Sequence, residues 1–185
     1  MDDNIELHCD FVKNPQCISG FVDTGLKVNA AGVQLPGLLA DCIDVQKGLV
    51  CKTHFQPGMV HVEFIIDSGN HDLYIRQIGQ AKIKVRWYYD GHFAFAPKYP
   101  GGADTGVPWK VPAQHSGKQN HTFERTPESL RFLLNGQGLG SKPSPKALPS
   151  EKYWLVGITS WDPCVIKEVI LSGKLDRTWL NEAGK

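Results

Sequence analysis

No apolar run in this 185-residue chain approaches the ~20 residues that a membrane-spanning helix requires. Charge of one sign is equally scarce. Twenty Lys and Arg against nineteen Asp and Glu leave a net charge of +1, which argues against a dedicated nucleic-acid binder. The start, Met1-Asp2-Asp3-Asn4, is acidic and has no apolar core of a signal peptide. Two expectations remain open: a cytosolic protein, or a secreted one whose signal was removed and whose Met1 was added. No Cys-x-x-Cys or His-Glu-x-x-His occurs, so zinc has no sequence support. Gly136-x-Gly138-x-Gly140 is not followed by a helical pattern, so it does not read as a phosphate cradle. Nor does any strand-like run carry acids spaced as Glu-x-Asp-x-x-Glu. A retaining glycosidase on a β-scaffold would need such a pair, with the carboxylates about 5 Å apart. Asp41 and Asp44 share a segment, but their odd spacing puts them on opposite faces of a strand.

Cysteine is sparse as well. Five are too few for a disulfide-dense mini-domain, and an odd count leaves at least one thiol free. Cys42 and Cys51 flank a turn at Gln46-Lys47-Gly48, where a two-residue loop would set them opposite each other. Cys9 and Cys17 bound a short loop containing Asn14-Pro15. Two such bridges plus a lone Cys164 describe a secreted protein, whereas five buried thiols describe a protein without bridges. Asn120-His121-Thr122 matches a glycosylation sequon, a match close to chance at this length.

What is present is alternation. In Lys82 to Tyr88, Ile83, Val85 and Trp87 fall on one face of a strand, while Lys82, Lys84, Arg86 and Tyr88 fall on the other. Similar strand-length runs are predicted at 25–33, 38–45, 49–55, 59–67, 72–78, 81–89, 92–96, 119–125, 129–134, 153–161 and 165–171. Turn signals separate them, including Pro57-Gly58, Asp90-Gly91, Thr126-Pro127-Glu128 and Asn135-Gly136. Such spacing predicts one all-β domain over residues 1–185, an antiparallel sandwich or barrel. A short helix closes it, capped by Asp176 and carrying Trp179 and Leu180. Two segments read as loops. Residues 97–117 are rich in Pro and Gly but contain Tyr99, Trp109 and His115, which favours an ordered, functional connection. Residues 136–150 read as a blander surface linker.

Three stretches carry a family resemblance: Val85-Arg86-Trp87-Tyr88-Tyr89-Asp90-Gly91, residues 123–136 ending in Leu134-Asn135-Gly136, and Val156-Gly157-Ile158-Thr159-Ser160-Trp161 followed by 165–169. Together they resemble the concanavalin A-like jelly-roll superfamily, which includes laminin-G-type modules, legume-type lectins, glucanases and polysaccharide lyases. The resemblance implies a lectin-like sandwich that handles carbohydrate. It also makes calcium compatible with Asp67, Asn70 and Asp72, although a plain turn explains those residues equally well.

Three functions fit these residues. A lectin would stack a sugar ring on outward aromatics and hydrogen-bond its hydroxyls, and the ligand-binding candidates are Arg76, Lys84, Arg86, Tyr88, His92, Tyr99 and Trp109. A polysaccharide lyase would need a cation for the uronate carboxylate and a base for the C5 proton, drawn from Arg76, Arg86, Tyr88 and His92. A protein-interaction module would use the 97–117 loop as its epitope. The bland alternative leaves Lys82, Lys84 and Arg86 as an ordinary solvated face. Trp87, in phase with Ile83 and Val85, is predicted to be core, and Trp109 either contacts a ligand or caps a sheet edge. Trp154 and Trp161 lie at opposite phases, so one of them is predicted to be core.

Overall fold

The computed structural model describes residues 3–23, 25–36, 48–68, 73–78, 82–87, 92–98, 107–110, 117–143, 153–160 and 163–183. They form two antiparallel sheets. The eight-stranded sheet runs in the order β12 (Gln137–Pro143), β11 (Ser129–Leu134), β10 (Gly117–Arg125), β5 (Phe55–Ser68), β14 (Cys164–Leu175), β3 (Gly32–Leu35) and β2 (Lys27–Asn29). Its eighth strand, β1 (Asn4–Asp10), pairs with the stretch of β14 beyond β3. The six-stranded sheet runs β4 (Leu49–Val50), β13 (Leu155–Ser160), β6 (Leu73–Ile78), β7 (Lys82–Trp87), β8 (His92–Lys98) and β9 (Val107–Lys110). A 3-10 turn at Pro15–Gly20 and the helix α1 (Arg177–Ala183) complete the described chain.

Period-two patterning builds one core between the sheets. On β5 the even positions Val60, Val62, Phe64 and Ile66 are buried, and across from them lie Phe123, Leu130, Phe132, Val169 and Leu171. Trp154, Val156 and Ile158 belong to the same cluster, so β13 faces the eight-stranded sheet through its even positions. The inward face of β10 also carries polar groups. Gln119 and His121 are buried with their side chains 2.9 Å apart, and the fully buried Arg125 guanidinium lies 3.7 Å over the Trp154 ring. That cation–π contact puts a charge against a π face in a place where water does not reach.

The structure differs from the sequence reading at several points. Residues 97–117 contain β9, a four-residue edge strand. Pro108 is tolerated there because an edge strand leaves half its N–H groups unpaired. Residues 136–150 contain β12, joined to β11 by a hairpin turn in which Asn135 and Gly136 both take positive φ, 51° and 78°. Pro57-Gly58 is not a turn. β5 runs through it opposite a bulge between Gly173 and Leu175, where an unpaired residue suits proline. The 25–33 run is a β2–β3 hairpin, and β1 had no sequence forecast. Residues 38–45 lie wholly among those not described, as does Trp161, while Trp154 is core.

The expected disulfides are corrected. Cys9, Cys17 and Cys51 are free thiols, and Cys42 lies outside the described residues. The Cys42–Cys51 hairpin assumed that residue 49 onward pairs with the preceding segment; the described partner of β4 is β13. Cys51 is buried, and its thiol points toward the Gly20 carbonyl at 3.8 Å. Burial, with Cys17 and Cys51 close by, pushes the Cys9 thiol up to about 12, so it stays protonated and unreactive at neutral pH. The sequon asparagine sits in mid-strand on β10, where its side-chain amide donates to Glu63 at 2.6 Å.

The closing helix is as expected. The Asp176 carboxylate accepts from the Thr178 backbone N–H at 2.9 Å. His54 fastens it, accepting a backbone hydrogen bond from Asp176, with its ring stacked on Tyr153 at 3.9 Å and on Trp179 at 5.3 Å. Burial holds the His54 pKa below its ordinary value, against the opposing pull of Asp176 and Glu182. Between that lowered value and about 6.5, the unfolded chain binds more protons than the folded one, so stability rises with pH. The anchor is therefore complete above pH ~6.5 and weakens as pH falls through the folded pKa. Melting temperatures taken from pH 7.5 down to 5 should fall more steeply for the native chain than for His54→Gln. Parallel curves would show that His54 does not carry this dependence.

Candidate functional site

The strongest candidates fall on the six-stranded sheet, and its register decides which of them meet. β13, β6, β7, β8 and β9 pair without a register shift, so each cross-strand row lies on one face. Ile158 aligns with Ile75, Val85, Phe95 and Val107, and Val156 aligns with Gln77, Ile83 and Pro97. Because Val156 and Ile158 are core, these rows mark the inward face. The alternate rows mark the outward one. They are Thr159–Tyr74–Arg86–Ala94–Pro108 and Gly157–Arg76–Lys84–Ala96. Further along, His92 is opposite Lys110, and Lys82 is opposite Lys98.

Arg76, Lys84, Arg86 and His92 thus fall in rows of one parity, along with Tyr74. Trp109 does not. It aligns with Phe93, Trp87 and Leu73, in a row with the parity of Ile158, at the edge of the sheet. Tyr88 and Tyr99 lie outside the described residues, one immediately after β7 and one immediately after β8. Lys98 and Lys110 were not singled out from the sequence. Lys98 follows the Pro97 that looked like the start of a loop, and Lys110 sits inside it. Recognising β9 as a strand was the missing step.

Outside this sheet, the eight-stranded sheet's outer face holds a polar network. Register sets His61 on β5 opposite Glu124 on β10. The His61 ring nitrogens lie 3.1 Å from Glu124 and 3.0 Å from Glu63, while Arg131 reaches the other Glu124 oxygen at 3.0 Å and Asn120 the other Glu63 oxygen. Burial alone would raise the Glu63 pKa, but the Asn120 and His61 hydrogen bonds bring it below its usual value. This carboxylate pair is one that no single-strand search could find, because its members come from different strands. All four carboxylate oxygens are engaged, so the cluster reads as a structural brace rather than a reactive dyad.

Calcium ligands fare no better. Asp67 is paired with Lys167 at 2.8 Å, and Asn70 and Asp72 lie outside the described residues. Among the described residues no group of three or more His, Cys, Asp or Glu side chains could hold a metal ion. Among them, too, no helix is long and apolar enough to cross a membrane.

No known sequence family and no curated protein matches this chain. Solved structures do match it in shape. The apo Crh5 transglycosylase superposes with a TM-score of 0.65 at 10% identity, over 91% of this chain and 84% of that one. The metal-free carbohydrate recognition domain of Emp46p gives 0.62 at 10% identity, over 88% and 94%. Galectin LEC-6 of Caenorhabditis elegans gives 0.52 at 12% identity, over 75% and 94%. The fold is a concanavalin A-like jelly roll. At such identities the likeness is one of fold, and a jelly roll hosts many activities. The Emp46p domain is also known in a potassium-bound form, a property of that protein.

Proposed function

We propose that this jelly roll is a carbohydrate-binding domain whose ligand lies on the outward rows of the six-stranded sheet. The observation that carries this reading is the register that puts Tyr74, Arg76, Lys84, Arg86 and His92 on one face. Gly157, Ala94 and Ala96 lie in the same rows. A tyrosine ring offers the flat apolar surface that stacks on a pyranose, and cationic donors suit its hydroxyls and carboxylates. Trp109 lies on the edge strand at the margin of these rows. The carbohydrate-recognition domain among the structural counterparts supports the reading.

The test is a binding screen of the purified chain against neutral and acidic glycans, with three variants alongside. Arg86→Ala should weaken a hit about tenfold or more, the effect of removing a charged hydrogen-bond donor. Tyr74→Ala should weaken it about threefold to tenfold, in line with the worth of an aromatic contact. Trp109→Ala, in the alternate row, should cost less binding than Tyr74→Ala. A folded protein that binds nothing across the panel would overturn the reading and favour a protein-interaction module. Unsaturated, absorbing ends on an acidic polymer would instead show the lyase that Arg76, Arg86, Tyr88 and His92 could form.

A further inference from the structure

Acidic residues are segregated between the two sheets, whereas cations occur in both, a division that the net charge of +1 conceals. The eight-stranded sheet carries Glu6, Asp10, Glu63, Asp67, Glu124 and Glu168 within its strands. The strands of the six-stranded sheet contain no Asp or Glu at all, yet they hold Arg76, Lys82, Lys84, Arg86, Lys98 and Lys110. The carboxylates nearest in sequence, Asp72, Asp90, Asp104 and Asp162, belong to connections outside the described residues.

Register makes this sharper. Arg76 is directly opposite Lys84, Lys82 directly opposite Lys98, and His92 directly opposite Lys110. Partners in an antiparallel pair sit about 4.5–5.5 Å apart at Cα, and like charges placed there destabilise the sheet. Isolated lysines on a solvated face ordinarily have acids interspersed. Here the strands themselves supply none, so the row pairs cation with cation and suits an anionic ligand. Tyr74 beside Arg86, and small residues beside Arg76 and Lys84, distinguish the surface from a uniform basic patch.

We infer that the carbohydrate bound here is anionic, a polymer bearing carboxylate or sulfate groups, recognised by the opposed cations Arg76–Lys84 and Lys82–Lys98 together with Arg86 and Lys110, with His92 opposite Lys110 as a hydrogen-bonding neighbour. This rests on the glycan-binding reading above and narrows it to one chemical class. The two sources of negative charge share one chemistry, and matched polymers separate them. Dextran sulfate is compared with dextran, and polygalacturonate with its carboxyl-reduced form, so that within each pair only the charge differs.

Binding of the full chain is measured in about 0.05 M and about 0.5 M NaCl, conditions that bracket strong and weak screening. The expected result is that at least one charged polymer binds about tenfold tighter than its neutral twin in low salt and loses about tenfold in high salt. Lys84→Gln combined with Arg86→Gln should remove most of that preference, whereas Lys27→Gln combined with Lys174→Gln, on the other sheet, should not. Lys110→Gln, on the edge strand, serves if the first pair unfolds the protein, and the salt dependence needs no variant. Equal binding within both pairs would overturn the charge assignment and leave the glycan reading standing. Equal loss in the two double variants would also overturn it, as would tighter binding to duplex DNA than to any polymer. No binding to charged, neutral or panel glycans by a folded chain would end both.

Discussion

Trp154→Ala is expected to cost roughly 3–5 kcal/mol, the usual range for deleting a buried aromatic. The side chain is 1% exposed, and its backbone holds Phe55 through two hydrogen bonds of 3.0 and 2.8 Å. Its ring also lies under Arg125, so deletion removes packing volume and the π face against a buried guanidinium at once. Against a total stability of about 5–15 kcal/mol, such a loss lowers the melting temperature by roughly 6–20 °C. Trp154→Phe should cost only about 1–2 kcal/mol, because a ring remains and the indole N–H has no acceptor among the described residues. Urea unfolding of the single variants, Arg125→Ala and the double variant completes the comparison. Residues in contact are non-additive, so a coupling of about 0.5–3 kcal/mol is expected between 125 and 154. Additive losses would show that the guanidinium draws nothing from the ring.

Gly32→Ala should be nearly as damaging for a different reason. Gly32 has φ +128°, a conformation L-residues rarely adopt, and a Cβ placed there would run into the Ile166 carbonyl of β14. Backbone strain of that kind costs about 1–3 kcal/mol, and relieving the clash means pulling β3 off β14. Val33 and Leu35 are both buried and would lose their place in the core. Gly138→Ala is the control, since its Cβ meets nothing within 4 Å and the expected change is within about 0.5 kcal/mol. Equal melting temperatures for the two variants would show that β3 is not held as closely as its register indicates.

The alternation in 82–88 was enough to separate an apolar face from a cationic one, and the pairing of Val85 with Ile75 and Phe95 agrees with that division. The Asn135-Gly136 hairpin and the Asp176 cap were legible for the same reason, since each rests on a short-range conformational preference. β9 and β12 were not legible. Their sequences are rich in Pro and Gly, and they hold as strands because a neighbour supplies the ladder. The disulfide expectation failed on the same ground: Cys51 follows a strand whose described partner is β13, about a hundred residues away in the chain.

By itself, then, the sequence determined the class of fold, the alternation within the strands it made legible and the types of side chain on offer, because all of these follow from the period-two geometry of a single strand. Tertiary structure alone decided which outward residues face one another. Pairing between strands sets Arg76 against Lys84 and His92 against Lys110, and it moves Trp109 to the alternate row. Register is a property of two strands, and no one strand contains it.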